Sequence, residues 1–134
     1  MTSIPLSRIL TREKRVRLLF VEATDFTRAI RGYFGDDESY RAFQEALLAD
    51  PMRGDIIQGC GGLRKVRWRD VRRGKGARGG LRIIYLYVPE AERILLLDVY
   101  DKDEAKDLSP AERRQLTELA DVYRREMAAA VRRN

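Results

Sequence analysis

The sequence predicts an α+β domain, and three observations carry that expectation. Two runs, "LRIIYLYV" (81–88) and "RILLLDVY" (93–100), are rich in β-branched and aromatic residues, and a Pro-Glu-Ala-Glu tetrapeptide joins them as an antiparallel hairpin would be joined. Two segments before them and one after place apolar residues at helical spacing. Strands and helices are segregated rather than strictly alternating, so the sheet should be largely antiparallel, with two N-terminal helices and one C-terminal helix packed on one face.

The first fifteen residues, "MTSIPLSRILTREKR", lack the apolar core of a secretion signal and read as an N-terminal extension of uncertain order. A single domain then spans 16–134. "VRLLFVEA" (16–23) is a short buried strand by composition. Thr24 and Asp25 can cap a helix that runs to about Tyr33, where Gly32 and Gly35 interrupt it. Asp36 and Asp37 open a second helix whose Tyr40, Phe43, Leu47 and Leu48 share a face, and Pro51 and Gly54 stop it.

"GDIIQGCGG" (54–62) reads as a tiny strand and a glycine turn. In "LRKVRWR" (63–69), strand alternation puts Lys65, Arg67 and Arg69 on one face and Arg64, Val66 and Trp68 on the other. In the last strand the same alternation groups Leu96, Asp98 and Tyr100 opposite Leu95, Leu97 and Val99. Ser109-Pro110-Ala111-Glu112 is a capping box with proline at the first helical position. The helix it opens carries a stripe of Leu116, Leu119, Ala120, Tyr123, Met127 and Val131 that should pack on the sheet.

With 134 residues, 44% of them hydrophobic, the chain is long enough for one modest core. Its one cysteine, Cys60, permits no internal disulfide and fits a reducing, cytoplasmic setting. No apolar run approaches the roughly 20 residues of a membrane span, so no membrane partner is expected. There is no histidine, and a zinc site from Cys60 and carboxylates alone is improbable, so neither metal nor cofactor is expected.

The net charge of +6 points to acidic partners, and it is concentrated. Residues 64–82 hold nine Lys/Arg against one acid, Asp70, whereas the rest of the chain holds 18 basic and 20 acidic groups. Gly74-x-Gly76-x-x-Gly79 inside this segment has the letters of a dinucleotide fingerprint. That fingerprint needs a helix after the glycines to receive the pyrophosphate, and here a strand-like run follows. The Walker pattern is absent as well. The glycines are better read as a loop joining two strands, through which Lys75 and Arg78 reach a nucleic-acid backbone.

Trp68, Tyr85 and Tyr87 could add base stacking. RNA carries its own nucleophile, the 2′-hydroxyl, so cleavage without a metal asks only for alignment, charge stabilisation and proton transfer. Arginines can clamp the phosphorane, and a lysine among like charges or a tyrosine can exchange the proton. Lys65, Arg67, Lys75, Arg82 and Tyr100 supply these groups.

Three blocks, "GDIIQGCGGLRKVRW", "GKGARGGLRIIYLY" and "LLLDVYDKDEAKDLSPAERRQL", resemble the RelE/ParE superfamily of bacterial toxins, and within it the HigB-like branch. The resemblance covers about Leu18 to Arg125 with the blocks in family order. It implies a RelE-like toxin of a type II toxin–antitoxin system that enters the ribosomal A site and cleaves mRNA without a metal. It points to Arg64, Lys65 or Arg67 as the basic residue of the "LRKVR" strand, to Arg82 as the phosphate-stabilising arginine, and to Tyr100 as the strand-end tyrosine, with Lys102 just beyond. It also implies that Lys75 and Arg78 bind rRNA or mRNA backbone. The basic cluster adds Arg69, Arg72 and Arg73 to that binding set.

Some relatives place a histidine in the site, and this chain has none, which leaves the general base open between a lysine and Tyr100. The superfamily also contains ParE-type gyrase poisons, and a noncatalytic nucleic-acid-binding module would explain the charge as well. The resemblance further implies a cognate antitoxin of helix–turn–helix type, an acidic segment of which is expected to cover residues 64–82 or hold the toxin off the ribosome.

Overall fold

The computed structural model describes residues 6–12, 16–70, 74, 76, 80–101 and 108–133. In chain order its elements are β1 (Leu6–Arg12), β2 (Val16–Glu22), α1 (Thr24–Phe34), α2 (Asp37–Ala49), β3 (Asp55–Ile56), β4 (Arg64–Trp68), β5 (Leu81–Val88), a 3-10 turn (Pro89–Ala91), β6 (Arg93–Asp101) and α3 (Pro110–Arg133). The strands form one sheet in the order β1-β2-β6-β5-β4-β3. Among the described residues only the β2–β6 pairing is parallel, so the class is α+β and the sheet is largely antiparallel, as expected.

The helices do not share one face. Phe26 and Phe34 of α1 and Phe43, Leu47 and Leu48 of α2 pack with Phe20, Val66, Leu81, Ile83, Tyr85, Ile94 and Leu96. Ala120, Tyr123 and Met127 of α3 pack with Ile84, Leu86, Val88, Leu95 and Leu97 on the opposite side. The reason lies in β5 and β6, where almost every residue is buried. A strand apolar on both faces needs cover on both, and a near-continuous apolar run rather than an alternating one is its signature.

The sheet also has a strand before Val16. Leu6–Arg12, placed in the extension, forms β1 and pairs antiparallel with β2, from Leu6 opposite Val21 to Arg12 opposite Val16. At its other end β2 is tied to the helices by Glu22, which is 8% exposed. Its carboxylate accepts hydrogen bonds from Thr27 Oγ1 (2.7 Å) and Tyr40 Oη (2.6 Å), linking the strand to both α1 and α2.

The expected capping of α1 by Thr24 and Asp25, and its interruption at Gly32, are corrected, whereas the caps of α2 and α3 are as expected. α1 starts at Thr24 behind Ala23, without a side-chain cap, and passes through Gly32 to end at Gly35, whose φ of 85° is open to glycine at little strain. Asp36 caps α2 by accepting a hydrogen bond from the Ser39 backbone N–H at 2.7 Å. The α3 capping box is formed in both directions: Ser109 N–H donates to Glu112 Oε1 at 2.8 Å, and Glu112 N–H to Ser109 Oγ at 3.1 Å.

Strict alternation fails in β6. Ile84 pairs with Asp98 but Tyr85 pairs with Leu96, so the register skips Leu97 in a β-bulge. Leu97 and Asp98 both face the α3 side. Beyond the bulge Val99 joins Leu96 in the α1–α2 core, and Tyr100 turns to the α3 face. The grouping of Tyr100 with Leu96 is thereby corrected: one inserted residue exchanges the faces of everything after it.

Candidate nucleic-acid site

β4, β5 and β6 lie side by side, and their register sets a row of polar side chains across the sheet. Arg67 stands opposite Arg82, and Arg82 stands opposite Tyr100. Directly opposed residues share a face, so this row lies on the α3 side and spans about 10 Å over three strands. Without the β6 bulge, Tyr100 would be on the other side of the sheet.

The row is graded in exposure. Arg67 is exposed, Arg82 is 6% exposed and Tyr100 is 8% exposed. Arg82 Nη1 donates to its neighbour's carbonyl, Leu81 O, at 3.1 Å. Burial lowers the Arg82 pKa, the Arg67 charge lowers it further, and Tyr100 opposes them. An arginine stays protonated through such a shift, so the charge of Arg82 is held within the sheet, and burial is the larger cause of its lowered pKa.

Lys65 is two residues along β4 from Arg67, on the same face and opposite Ile84. It is half-buried and lines a pocket of about 310 Å³ with Asp55, Gln58, Leu108 and Arg113. Arg113, which sequence reasoning missed, reaches from α3 and donates to Gln58 O at 2.7 Å. It follows the Ser109–Glu112 capping box directly, and its approach to Lys65 depends on how α3 crosses the sheet.

Arg64 and Arg69 lie apart from this row. Arg64 is on the opposite face, where Nη1 donates to Gly54 O (2.8 Å) and Met52 O (3.2 Å) and braces the turn before β3. The expected alternation ends with β4 at Trp68, and the Arg69 guanidinium lies over the Trp68 ring at 5.2 Å, with Arg53 at 5.4 Å. Arg72, Arg73, Lys75, Arg78 and Lys102 lie outside the described residues.

Two of the three aromatics considered for base stacking are structural. Trp68 packs edge-on to Phe43 with ring centroids 5.3 Å apart. Tyr85 is fully buried, donates to Pro51 O at 2.8 Å and accepts from Gly54 N–H at 2.8 Å. Tyr87 is half-buried against the α1–α2 core.

The basic loop is held at its ends by residues that the charge pattern did not single out. A Cβ on Gly80 would run into Trp68 O and lie 2.7 Å from Gly76 O and 2.9 Å from Asp70 N, so only glycine fits. Asp70 and Asp101, at the ends of β4 and β6, are both fully buried and both engaged. Buried acids in a basic segment signal anchoring rather than solvation, and that was visible in Asp70 as the lone acid of residues 64–82.

Among the described residues no His, Cys, Asp and Glu side chains cluster so as to hold a metal ion, and no helix is long and apolar enough to cross a membrane. No protein-family model matches the chain.

Proposed function

We propose that this protein is the toxin of a type II toxin–antitoxin system, a RelE/ParE-superfamily, HigB-like endoribonuclease that cleaves mRNA on the ribosome without a metal. The observation that carries the reading is the Arg67–Arg82–Tyr100 row, which sets two cations and a phenol side by side on one sheet face. Lys65 stands next along that face. The concentration of positive charge in 64–82 supports an RNA partner.

In this reading the 2′-oxygen of the substrate attacks the adjacent phosphorus, and the P–O5′ bond breaks. The products are a 2′,3′-cyclic phosphate and a 5′-hydroxyl. Arg82 and Arg67 hold the non-bridging oxygens and stabilise the extra negative charge of the phosphorane. Lys65 and Tyr100 flank them as the groups that take the 2′-hydroxyl proton and return one to the leaving oxygen. A cognate antitoxin with an acidic segment covers this face in the resting complex.

The test is inducible expression of wild type and Arg82→Ala in a bacterium, with primer extension on abundant mRNAs. Cuts inside translated codons, present with wild type and absent with the variant, support the reading. Growth arrest with DNA breaks and no such cuts transfers it to a gyrase poison. Soluble protein with neither effect leaves a binding module.

A further inference from the structure

A second site lies along β6 from the row, with the opposite electrostatic character. The start of α1, the β6 bulge and the first half of α3 enclose a cleft of about 360 Å³. Asp25, Asp98 and Glu112 line it, together with the apolar Leu97, Leu116 and Leu119. Among the described residues no lysine or arginine does so, in a chain with a net charge of +6.

Two further features single the cleft out. Leu119, which lines the cleft, and Val122, which lies three residues further along α3 beyond it, are two of the four large hydrophobic residues exposed among the described ones, and with Leu116 they sit at helical spacing. The carboxylates also sense one another: burial raises Asp98 to about 6, and Glu112 and Asp25 add to the rise. Among the described residues Arg28 pairs with Asp25 at 3.8 Å, with both side chains largely in solvent, where such a pair is weak.

We propose that this cleft is a docking site for a cationic amphipathic helix of a partner protein, whose leucine-like side chains cover Leu116, Leu119 and Val122 while its lysines or arginines meet Asp25, Asp98 and Glu112. Charge complementarity selects this occupant over an acidic one. The apolar strip along α3 selects a helix laid in a groove over a small free cation. The inference stands independently of the nuclease reading, since it concerns a different set of residues.

The test uses the full chain and two fluorescein-labelled 14-residue helices, one of leucine and lysine, the other its leucine–glutamate twin, in anisotropy titrations near neutral pH and 0.15 M salt. The lysine helix should bind at least 10-fold more tightly than its twin. The double variant Asp25→Asn, Glu112→Gln should weaken it about 10-fold, and Leu119→Asp should do the same. Glu112→Gln keeps the capping-box acceptor and Leu119 is already exposed, so circular dichroism should report an intact fold in both. Equal affinity for the two helices, no binding, or binding indifferent to both variants overturns the proposal. So does a concentration-dependent dimer in sedimentation that Leu119→Asp abolishes and the lysine helix displaces, because the occupant would then be a second copy of the chain.

Discussion

Arg82 on β5 and Tyr100 on β6 are directly opposed across an antiparallel pair, both more than nine-tenths closed to solvent, and the pairing exists on this face because the β6 register skips Leu97. A buried guanidinium beside an exposed one is an arrangement with a large lever on any phosphate placed between them. On the proposed ribonuclease reading, Arg82→Ala should lower cleavage of mRNA on programmed ribosomes by about 100-fold or more, as removing one preorganised transition-state donor does. Arg82→Lys should recover only part of that, since an ammonium keeps the charge but loses the bidentate fork. Cleavage rates of the two purified variants, with melting curves to show that both are folded, check this. Wild-type rates from Arg82→Ala would remove Arg82 from the chemistry.

Tyr100 separates packing from proton chemistry. Its ring belongs to the α3-side core, and its backbone stands opposite Arg82 in the row. Tyr100→Phe keeps the ring and should leave the melting temperature nearly unchanged while slowing cleavage by about 100-fold, the usual worth of a positioned acid or base. Full activity in Tyr100→Phe would leave Lys65 as the group that exchanges protons.

How far the sequence foretold this site can be judged from the same residues. Arg67 and Lys65 were placed on one face by simple alternation, and they lie there. Arg82 stood out because a charge amid "LRIIYLY" needs a reason to be buried. Tyr100 was put on the wrong face, because a bulge is a property of two paired strands and neither strand alone encodes it. Helix ends were legible where a cap is a local bond, as at Asp36 and Ser109. Cover on both sheet faces was legible in principle, in the unbroken apolar runs of β5 and β6, but the side on which α3 docks is fixed by long-range packing. β1 was missed because "LSRILTR" mixes polar and apolar residues as an edge strand does.

The glycine-rich stretch offers a contrast within one loop. A methyl group on Gly80 would collide with backbone atoms of Trp68 at the end of β4, of Asp70 just beyond it and of Gly76. At Gly76 nothing lies within 4 Å of an added Cβ. Gly80→Ala should therefore destabilise the protein by about 1–3 kcal/mol, while Gly76→Ala should change stability by less than about 0.5 kcal/mol. Urea denaturation of the two variants compares them directly. Because Gly80 is two residues from Arg82, Gly80→Ala should also lose more cleavage activity than Gly76→Ala does.

Asp98 makes stability depend on pH in the direction opposite to an ordinary surface carboxylate. Burial at the bulge is the largest cause of its rise from 3.8 to about 6; Glu112 on α3 and Asp25 on α1 push the same way, and a hydrogen bond from the Val99 N–H opposes them. The folded protein thus holds this proton more tightly than the unfolded chain does. The stability that follows is fully present below the unfolded value near 3.8 and is lost as pH rises through about 6. Asp98→Asn keeps the acceptor oxygen and removes the charge, so it should melt at a higher temperature than wild type at pH 7.5, and the difference should shrink as pH falls through 6 toward 5. Thermal melts of both proteins at half-unit steps from pH 5 to 7.5 measure it. Parallel melting curves across that range would mean that Asp98 is ionised in the fold with no penalty, and that the bulge is wetter than its packing implies.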